Sequence, residues 1–491
     1  MYVATSRQMK AYDEALLEAG YSIEELVDKA SSAILPHCKK YDNIVIVCGP
    51  GNNGADGLSL GIKLHLRARN VKLYCFGNPN KLSKANNFYI DQAQEMEVPI
   101  TFMDEEDIHM FIRDAKKADV VIDAMFGFGL NSEVRGIAKI LVNEINKLYD
   151  TDIIAIDIPT GLNPDTGVPY GSVVCASKTV TLTAIKQAFL NEECHIYTGE
   201  IAVELLEVKD LRKDLNLAKL VSPTWIKYHL KPRSYYGHKG TYGKILHITG
   251  CNHYCGAALL ASRAAVFSGS GIVCVCSSEK VINALANTTP ECTSLFRDDA
   301  LDVNIFENKD AVLIGSGLGL NEQSEQYVLD TLMYAKCPIV IDGDALTIVS
   351  RYLDLLKECS APIILTPHYG EFKRLCFYND ELEMIEKVSQ FALEYGVIVV
   401  LKGPNTIITD GKDVYRNITA NKAMATAGMG DVLAGMISSF VGQGYLLKDA
   451  AILATYLHGS CGDIIGDNSY TVIPSKLINL IPKVMHEIIN E

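Results

Sequence analysis

No apolar stretch in the 491-residue sequence reaches the roughly 18–20 residues that a membrane-spanning helix needs, so no transmembrane segment is expected. The opening residues, Met1 to Ala19, have neither an apolar core nor a small-residue cleavage site, so no secretory leader is expected. Basic charge is short: 45 Lys and Arg stand against 59 Asp and Glu, a net charge of −14. That balance disfavours non-specific binding to nucleic acid or an anionic membrane, while leaving room for a local basic pocket. Cysteine is too sparse for a disulfide scaffold, with 14 in the chain. Most sit inside apolar runs, as Cys48, Cys75, Cys274 and Cys276 do, which suits buried thiols in a reducing cytoplasm. Cys251 and Cys255 flank His253, but no second pair with zinc-like spacing follows.

What the sequence does have is alternating apolar runs and helical stretches. At 48% hydrophobic and 21% charged, it can bury a core instead of staying disordered. Domains of roughly 100–200 residues imply two or three here. Ile44 to Val47, Val71 to Phe76, Val120 to Ile122 and Ile153 to Ile156 read as short buried strands. Ile137, Ile140, Leu141, Ile145 and Leu148 fall on one face of a helix. Leu58, Leu60, Ile62, Leu64 and Leu66 alternate as a strand would, but β-branched residues are scarce and a parallel crossover needs a helix there.

A second series runs through Lys244 to Ile248, Ile272 to Cys276, Ala311 to Ile314, Pro338 to Ile341, Pro362 to Leu365 and Val397 to Leu401. Two long helices then close it, one after Gly430 and one from Lys448 to about Ile465. Between the two series, Glu207 to Lys219 is charged and aperiodic, so the connection is expected there or as far as Lys231-Pro232. The domains are accordingly drawn as 1–210 and 224–491. The fold class is α/β, with two doubly wound domains of mostly parallel sheet. Ligands then bind where loops leave the carboxyl ends of the strands.

The first strand runs into Gly49-Pro50-Gly51-Asn52-Asn53-Gly54-Ala55-Asp56-Gly57. Four glycines in nine residues allow positive φ angles and close approach of backbone N–H groups to an anion, at the start of a helix. A plain tight turn is the alternative. Two later runs end in carboxylates, Asp123 before Ala124 and Asp157 before Ile158-Pro159-Thr160-Gly161. A carboxylate at a buried strand end must be paired or cation-bound, or it caps the next helix. Asp123 and Asp157 with Asn53 could form an oxygen-lined cation site or an acid/base centre.

These blocks resemble the YjeF N-terminal family, the NAD(P)H-hydrate epimerases, with a Rossmann-like fold. Gly49 to Gly57, Asp123-Ala124 with Gly127, Gly129 and Val134-Arg135-Gly136, Asp157 to Gly161, and the opening Met9, Asp13 and Gly20 carry the likeness, over residues 1 to about 210. The resemblance implies that Asn52, Asn53, Gly54, Ala55 and Asp56 hold the hydrated cofactor. Gly127, Phe128, Gly129, Leu130, Asn131, Ser132, Glu133 and Asp157 would join them. Asn53, Asp123 and Thr160 would bind a potassium ion, and Asp157 would carry the acid/base chemistry. Ala55 stands where the family usually has glycine, and Thr160 where it usually has serine.

In the second series, Thr426-Ala427-Gly428-Met429-Gly430-Asp431 opens an apolar helix. Free N–H groups and the positive dipole end there could stabilise a transferring phosphoryl group, with Asp431 taking the proton of an attacking hydroxyl. The alternative is an ordinary helix-capping Asp. Four other blocks accompany it: Gly315-Ser316-Gly317-Leu318-Gly319, Thr366 to Glu371, Lys402 to Thr406, and His238 to Lys244 with Gly256-Ala257-Ala258.

Together they resemble the NAD(P)H-hydrate dehydratases, a branch of the ribokinase-like fold, from about Pro232 to Ile481. The resemblance implies hydrate binding by Ala257, Gly317, Gly319, His368 and Asp431. It implies adenine-nucleotide binding by Lys402, Gly403, Pro404, Asn405, Thr406 and Gly430, with Asp431 catalytic. A magnesium ion and ADP or ATP as phosphoryl donor follow. Met429 stands where a small residue is usual. The implied partners are hydrated NADH or NADPH and an adenine nucleotide, with a homo-oligomer expected. The rival reading is a ribokinase-like kinase of a vitamin precursor, with a binding but non-catalytic first domain.

Overall fold

A computed structural model describes residues 1–297, 302–376 and 383–490. The chain divides into two compact units, Met1–Leu217 and Ala218–Glu491. The aperiodic segment after Glu207 therefore belongs mostly to the first unit.

The first unit is built on seven parallel strands: β1 Asn43–Cys48, β2 Asn70–Phe76, β3 Ile100–Met103, β4 Val120–Ala124, β5 Asp152–Ile156, β6 Lys178–Leu182 and β7 Glu200–Glu204. Their spatial order is β3-β2-β1-β4-β5-β6-β7. Both faces are covered. Ile44, Ile46 and Cys48 pack on one side with helices Ile23–Ile34, Asn52–His65 and Lys84–Glu95, whereas Val45 and Val47 pack on the other with Phe111 and Leu141. This two-residue alternation inside continuous apolar runs is what a doubly covered parallel strand requires. The alternating leucines after β1 do form a helix, Asn52–His65. A short parallel pair, Tyr2–Ala4 with Ile185–Lys186, lies outside this sheet.

The second unit repeats the logic with β8 Ala218–Leu220, β9 Lys244–Ile248, β10 Ile272–Ser277, β11 Thr293–Phe296, β12 Ala311–Ile314, β13 Ile339–Ile341, β14 Ile363–Leu365, β15 Ile398–Leu401, β16 Thr406–Thr409 and β17 Val414–Asn417. Their order is β11-β10-β9-β12-β13-β14-β15-β16-β17-β8, parallel except where β16 meets β15 and β17. Helices Met429–Gly442 and Leu447–Gly466 pack with Pro474–Asn490 over Ile245, Val340, Ile364 and Val400. The third of these helices goes beyond the two that the sequence suggests. No helix among the described residues is long and apolar enough to cross a membrane.

His247, in the middle of β9, is fully buried between the hydroxyls of Ser262 and Ser438. Burial drives its pKa down from 6.5 to about 3. The unfolded chain therefore takes up this proton first. Stability is complete above about pH 6.5 and falls by about 1.4 kcal/mol per pH unit as the pH drops towards 3. His247→Gln should flatten the unfolding free energy by about that slope between pH 6 and pH 4, measured by urea denaturation. An unchanged slope would contradict the buried neutral imidazole.

Candidate active sites at two strand-order reversals

In an open parallel sheet, ligands bind where the strand order reverses, because neighbouring loops diverge there. In the first unit that place lies between β1 and β4. The loops leaving them touch: a Cβ on Gly49 would fall 1.8 Å from the Met125 carbonyl oxygen. Gly54 is equally constrained, its Cβ falling 1.9 Å from the Gly49 carbonyl oxygen, and that of Gly57 would meet Ala124 at 2.5 Å.

None of Gly49, Gly51, Gly54 and Gly57 uses the positive φ that their density allows. The helix starts at Asn52, one residue after its cap Gly51, so the glycines serve close packing of helix on sheet. Ala55 is helical and completely buried, and its Cβ meets no conformational penalty. Gly54→Ala should cost the first unit at least about 2 kcal/mol and abolish its activity while sparing the second unit. Urea denaturation and separate assays of the two reactions would check this.

Asp123 ends β4 with no exposed surface. One oxygen accepts from the Met125 N–H at 3.2 Å and the Thr160 hydroxyl at 2.8 Å, and the other accepts from the Thr160 N–H at 2.8 Å. Burial pushes its pKa up to about 6 against those hydrogen bonds. Thr160 keeps the oxygen a serine would supply, and its hydroxyl also accepts from the Phe126 N–H at 3.1 Å. Next to Phe126, Gly127 faces the Asn53 side chain, with 3.3 Å between its ideal Cβ and Asn53 Oδ1. The Asn53 amide nitrogen is buried without a hydrogen-bond partner. The Asp123 carboxylate, the Thr160 hydroxyl and the Asn53 Oδ1 are the oxygen groups here that suit a monovalent cation, while the unpaired Asn53 nitrogen is a donor and cannot ligate one. The rest of the segment, Phe128 to Glu133, is mostly exposed, with Phe128 and Leu130 half-buried.

Asp157, just past β5, takes φ +67°, a left-handed conformation that strains a non-glycine residue. It is nearly buried, and its Oδ1 lies 2.5 Å from Lys186 Nζ, which is wholly buried. Asp13 and Asp56 complete the cluster. Burial and then Asp157 raise Asp13 to about 7, opposed by Lys186. Burial, Asp157 and Asp13 push Asp56 well above the usual carboxylate range. Lys186 escaped the sequence reading, although a lone lysine ending the run from Val180 to Ile185 was a signal.

In the second unit the order reverses between β9 and β12. Their loops are joined by Gly250 N–H donating to the Ser316 carbonyl at 2.8 Å. Gly317, at φ +64°, packs against Ala257, their Cβ positions 2.7 Å apart were Gly317 to carry one. The Gly319 N–H donates to Asp344 at 2.8 Å. His368 caps helix Tyr369–Leu375 through Nδ1, which accepts from the N–H groups of Gly370 and Glu371. Its proton then sits on Nε2, 3.7 Å from a Glu371 carboxylate oxygen. The Gly403–Asn405 turn is closed by the Thr406 hydroxyl donating to the Gly403 carbonyl at 2.9 Å.

Lys402 and Asp431 are brought together around a residue the sequence reading passed over. Asp342, at the end of β13, accepts from Lys402 Nζ at 2.8 Å, the Thr366 hydroxyl at 2.7 Å and the Ser316 hydroxyl at 3.1 Å. Ser316 also bonds Asp431, and Glu371 lies 3.9 Å from Lys402 Nζ. Burial works against the Lys402 charge, but Asp342, Glu371 and Asp431 outweigh it and raise its pKa. Lys402 therefore belongs to a carboxylate network as well as to the proposed nucleotide face. A Cβ on Gly430 would lie 3.2 Å from its ammonium.

Asp431 sits in the first turn of helix Met429–Gly442, whose cap Gly428 has φ +97°. Burial first, and Asp342 second, raise its pKa to about 7. The Met429 side chain is buried in the helical core.

Residues 14–188 match the family model of the YjeF-related protein N-terminus, and residues 245–483 that of NAD(P)H-hydrate dehydratase. A bifunctional NAD(P)H-hydrate repair enzyme of Thermofilum pendens is 31% identical over 99% of this chain and 96% of its own. One from Moorella thermoacetica is 32% identical over 94% and 92%. Among solved structures, a ribokinase-like superfamily protein of Enterococcus faecalis superposes with TM-score 0.52 at 27% identity, covering 56% of this chain and 97% of that one. The ADP/ATP-dependent NAD(P)H-hydrate dehydratase of Bacillus subtilis, co-crystallised with ATP and Mg2+, gives TM-score 0.50 at 32% identity, covering 55% and 99%.

Proposed function

The chain belongs to the family of bifunctional NAD(P)H-hydrate repair enzymes, and from that premise we propose how its two units divide the work. Residues 1–210 epimerise the R and S forms of hydrated NADH and NADPH. Residues 224–491 dehydrate the S form with ADP as donor. The observation that carries this reading is a buried carboxylate cluster beside each reversal of strand order, Asp157 with Asp13 and Asp56 in one sheet and Asp431 with Asp342 in the other.

Hydration of the reduced ring leaves a hydroxyl on a carbon bonded to the ring nitrogen. Epimerisation breaks that C–O bond as a carboxyl protonates the oxygen, while the nitrogen lone pair forms C=N. Water then adds to the opposite face, the pair returns to nitrogen, and the surplus proton goes back to a carboxylate. Asp157 is the group placed for this exchange. Asn52 to Asp56 and Gly127 to Glu133 hold the hydrate. A potassium ion held by Asn53, Asp123 and Thr160 would offset the buried Asp123 charge.

In the dehydratase, the hydrate hydroxyl attacks the terminal phosphorus of ADP and passes its proton to Asp431. The new O–P bond forms as the bridge to AMP breaks. Phosphate then departs from the ring carbon with the C–O pair, and loss of a proton from the neighbouring carbon restores the ring double bond. Ala257, Gly317, Gly319 and His368 face the hydrate. Lys402 to Thr406 and Gly430 face the nucleotide. A magnesium ion arriving with the phosphates would find carboxylate oxygens in the Asp342–Glu371–Asp431 cluster. The enzyme works in the cytoplasm, in keeping with buried free thiols such as Cys48, Cys75 and Cys276, and assembles as a homo-oligomer.

Incubation with a mixture of hydrate epimers, ADP and Mg2+ should recover all the reduced cofactor with one phosphate and one AMP per turnover. A stable phosphorylated product would instead mark a small-molecule kinase.

A further inference from the structure

The hydrogen bonds and ion pair found on the Asp157 side chain all land on one oxygen. Oδ1 takes the Lys186 ammonium at 2.5 Å, the Leu182 N–H at 3.3 Å and the Thr181 hydroxyl at 3.4 Å. None of them falls on Oδ2. The lysine has no exposed surface, and its remaining donors go to the Thr181 hydroxyl at 3.0 Å and the Leu182 carbonyl at 3.1 Å. Both ends of this clamp are fixed by backbone. Ile185–Lys186 pairs with Tyr2–Ala4, and the Asp157 N–H donates to the Val180 carbonyl at 2.8 Å. The strained φ of +67° at Asp157 is thereby held in place.

We propose that Lys186 is the positioning residue of the epimerase site: it clamps Oδ1 of Asp157 so that Oδ2 is the atom exchanging protons with the hydrate. The inference rests on the epimerase reading of this unit. A buried ion pair retained only for stability would not need one carboxylate oxygen left over, nor two further carboxylates beside it. Asp13, from helix Ser6–Glu18, and Asp56, from helix Asn52–His65, lie close enough to Asp157 to feel its charge. Glu14 stands beside Asp13 and Lys63 beside Asp56. Lys186 is the cation that holds Asp13 down, so its removal leaves Asp13 protonated to higher pH.

The test is made on the full chain with a pure hydrate epimer. Lys186→Met should lower kcat for epimerisation about 100-fold with KM held within about threefold. Asp13, raised to about 7, should give the epimerase a pH limb there, and the variant should carry that limb upward by about one unit, the sign expected when a cation beside a carboxyl is removed. Urea denaturation reports the folding of the first unit, since dehydratase activity belongs to the second. Thr181→Val, similar in shape and free of buried charge, should lower kcat about 5–10-fold at unchanged KM by loosening Oδ1. An active Lys186→Met with an unmoved limb, or a fully active Thr181→Val, would overturn the proposal. A wild-type chain that fails to interconvert the epimers overturns the epimerase reading itself.

Discussion

Asp431→Asn is expected to lower dehydratase turnover about 10³-fold while leaving epimerisation intact. Burial and Asp342 hold the Asp431 carboxyl near pH 7, where it can accept a hydroxyl proton and return it within one cycle. The asparagine keeps the shape and the bond to Ser316 but cannot take the proton. KM for the hydrate should stay within about threefold, since the loss falls on the transition state and not on binding. The pH dependence has a fixed sign: the base must be ionised, so the wild-type rate rises through about pH 7. Stopped-flow phosphate release across pH 5–9 would show that limb, and its absence from the residual Asp431→Asn rate would assign it.

Asp157→Asn should cost the epimerase about 10²–10⁴ in kcat and also weaken its unit. The substitution strands the Lys186 ammonium, wholly buried, without its counter-charge. Breaking a buried pair from one side typically costs about 3–5 kcal/mol. The double variant Asp157→Asn/Lys186→Met removes the stranded charge and should recover most of that stability without recovering activity. Urea denaturation and an epimerisation assay on the three proteins separate the two effects. Restored activity in the double variant would remove Asp157 from the chemistry.

Much of this arrangement was legible in the sequence, for physical reasons that also mark the limits. Ile44 to Val47 and Ala311 to Ile314 announce themselves because strands covered on both faces need unbroken apolar runs. Thr293–Phe296 is exposed along its length, and Thr406–Thr409 and Val414–Asn417 form an antiparallel hairpin with mixed composition, so neither stood out. Asp123 and Asp157 were found as carboxylates ending buried strands. Asp342 ends β13 in the same way, and applying that rule throughout would have found it. The glycine-rich loop lies where the sequence put it, but its glycines use close packing and not the positive φ angles they would allow. Composition does not distinguish a positive φ from a 1.8–1.9 Å clash with a neighbouring backbone oxygen, and only the packed loops do. Lys186 was missed because its partner lies 29 residues away and is met only across the folded sheet.

The account stands on two chemistries acting in series in one chain, and pure R-hydrate tests it most directly. With ADP and Mg2+, the wild-type protein should convert it to reduced cofactor after a lag, while S-hydrate reacts without one. Asp157→Asn should leave the R-hydrate untouched yet consume the S form, Asp431→Asn should only interconvert the two, and an equimolar mixture of the variants should restore full conversion. Lag-free dehydration of R-hydrate by Asp157→Asn would contradict it.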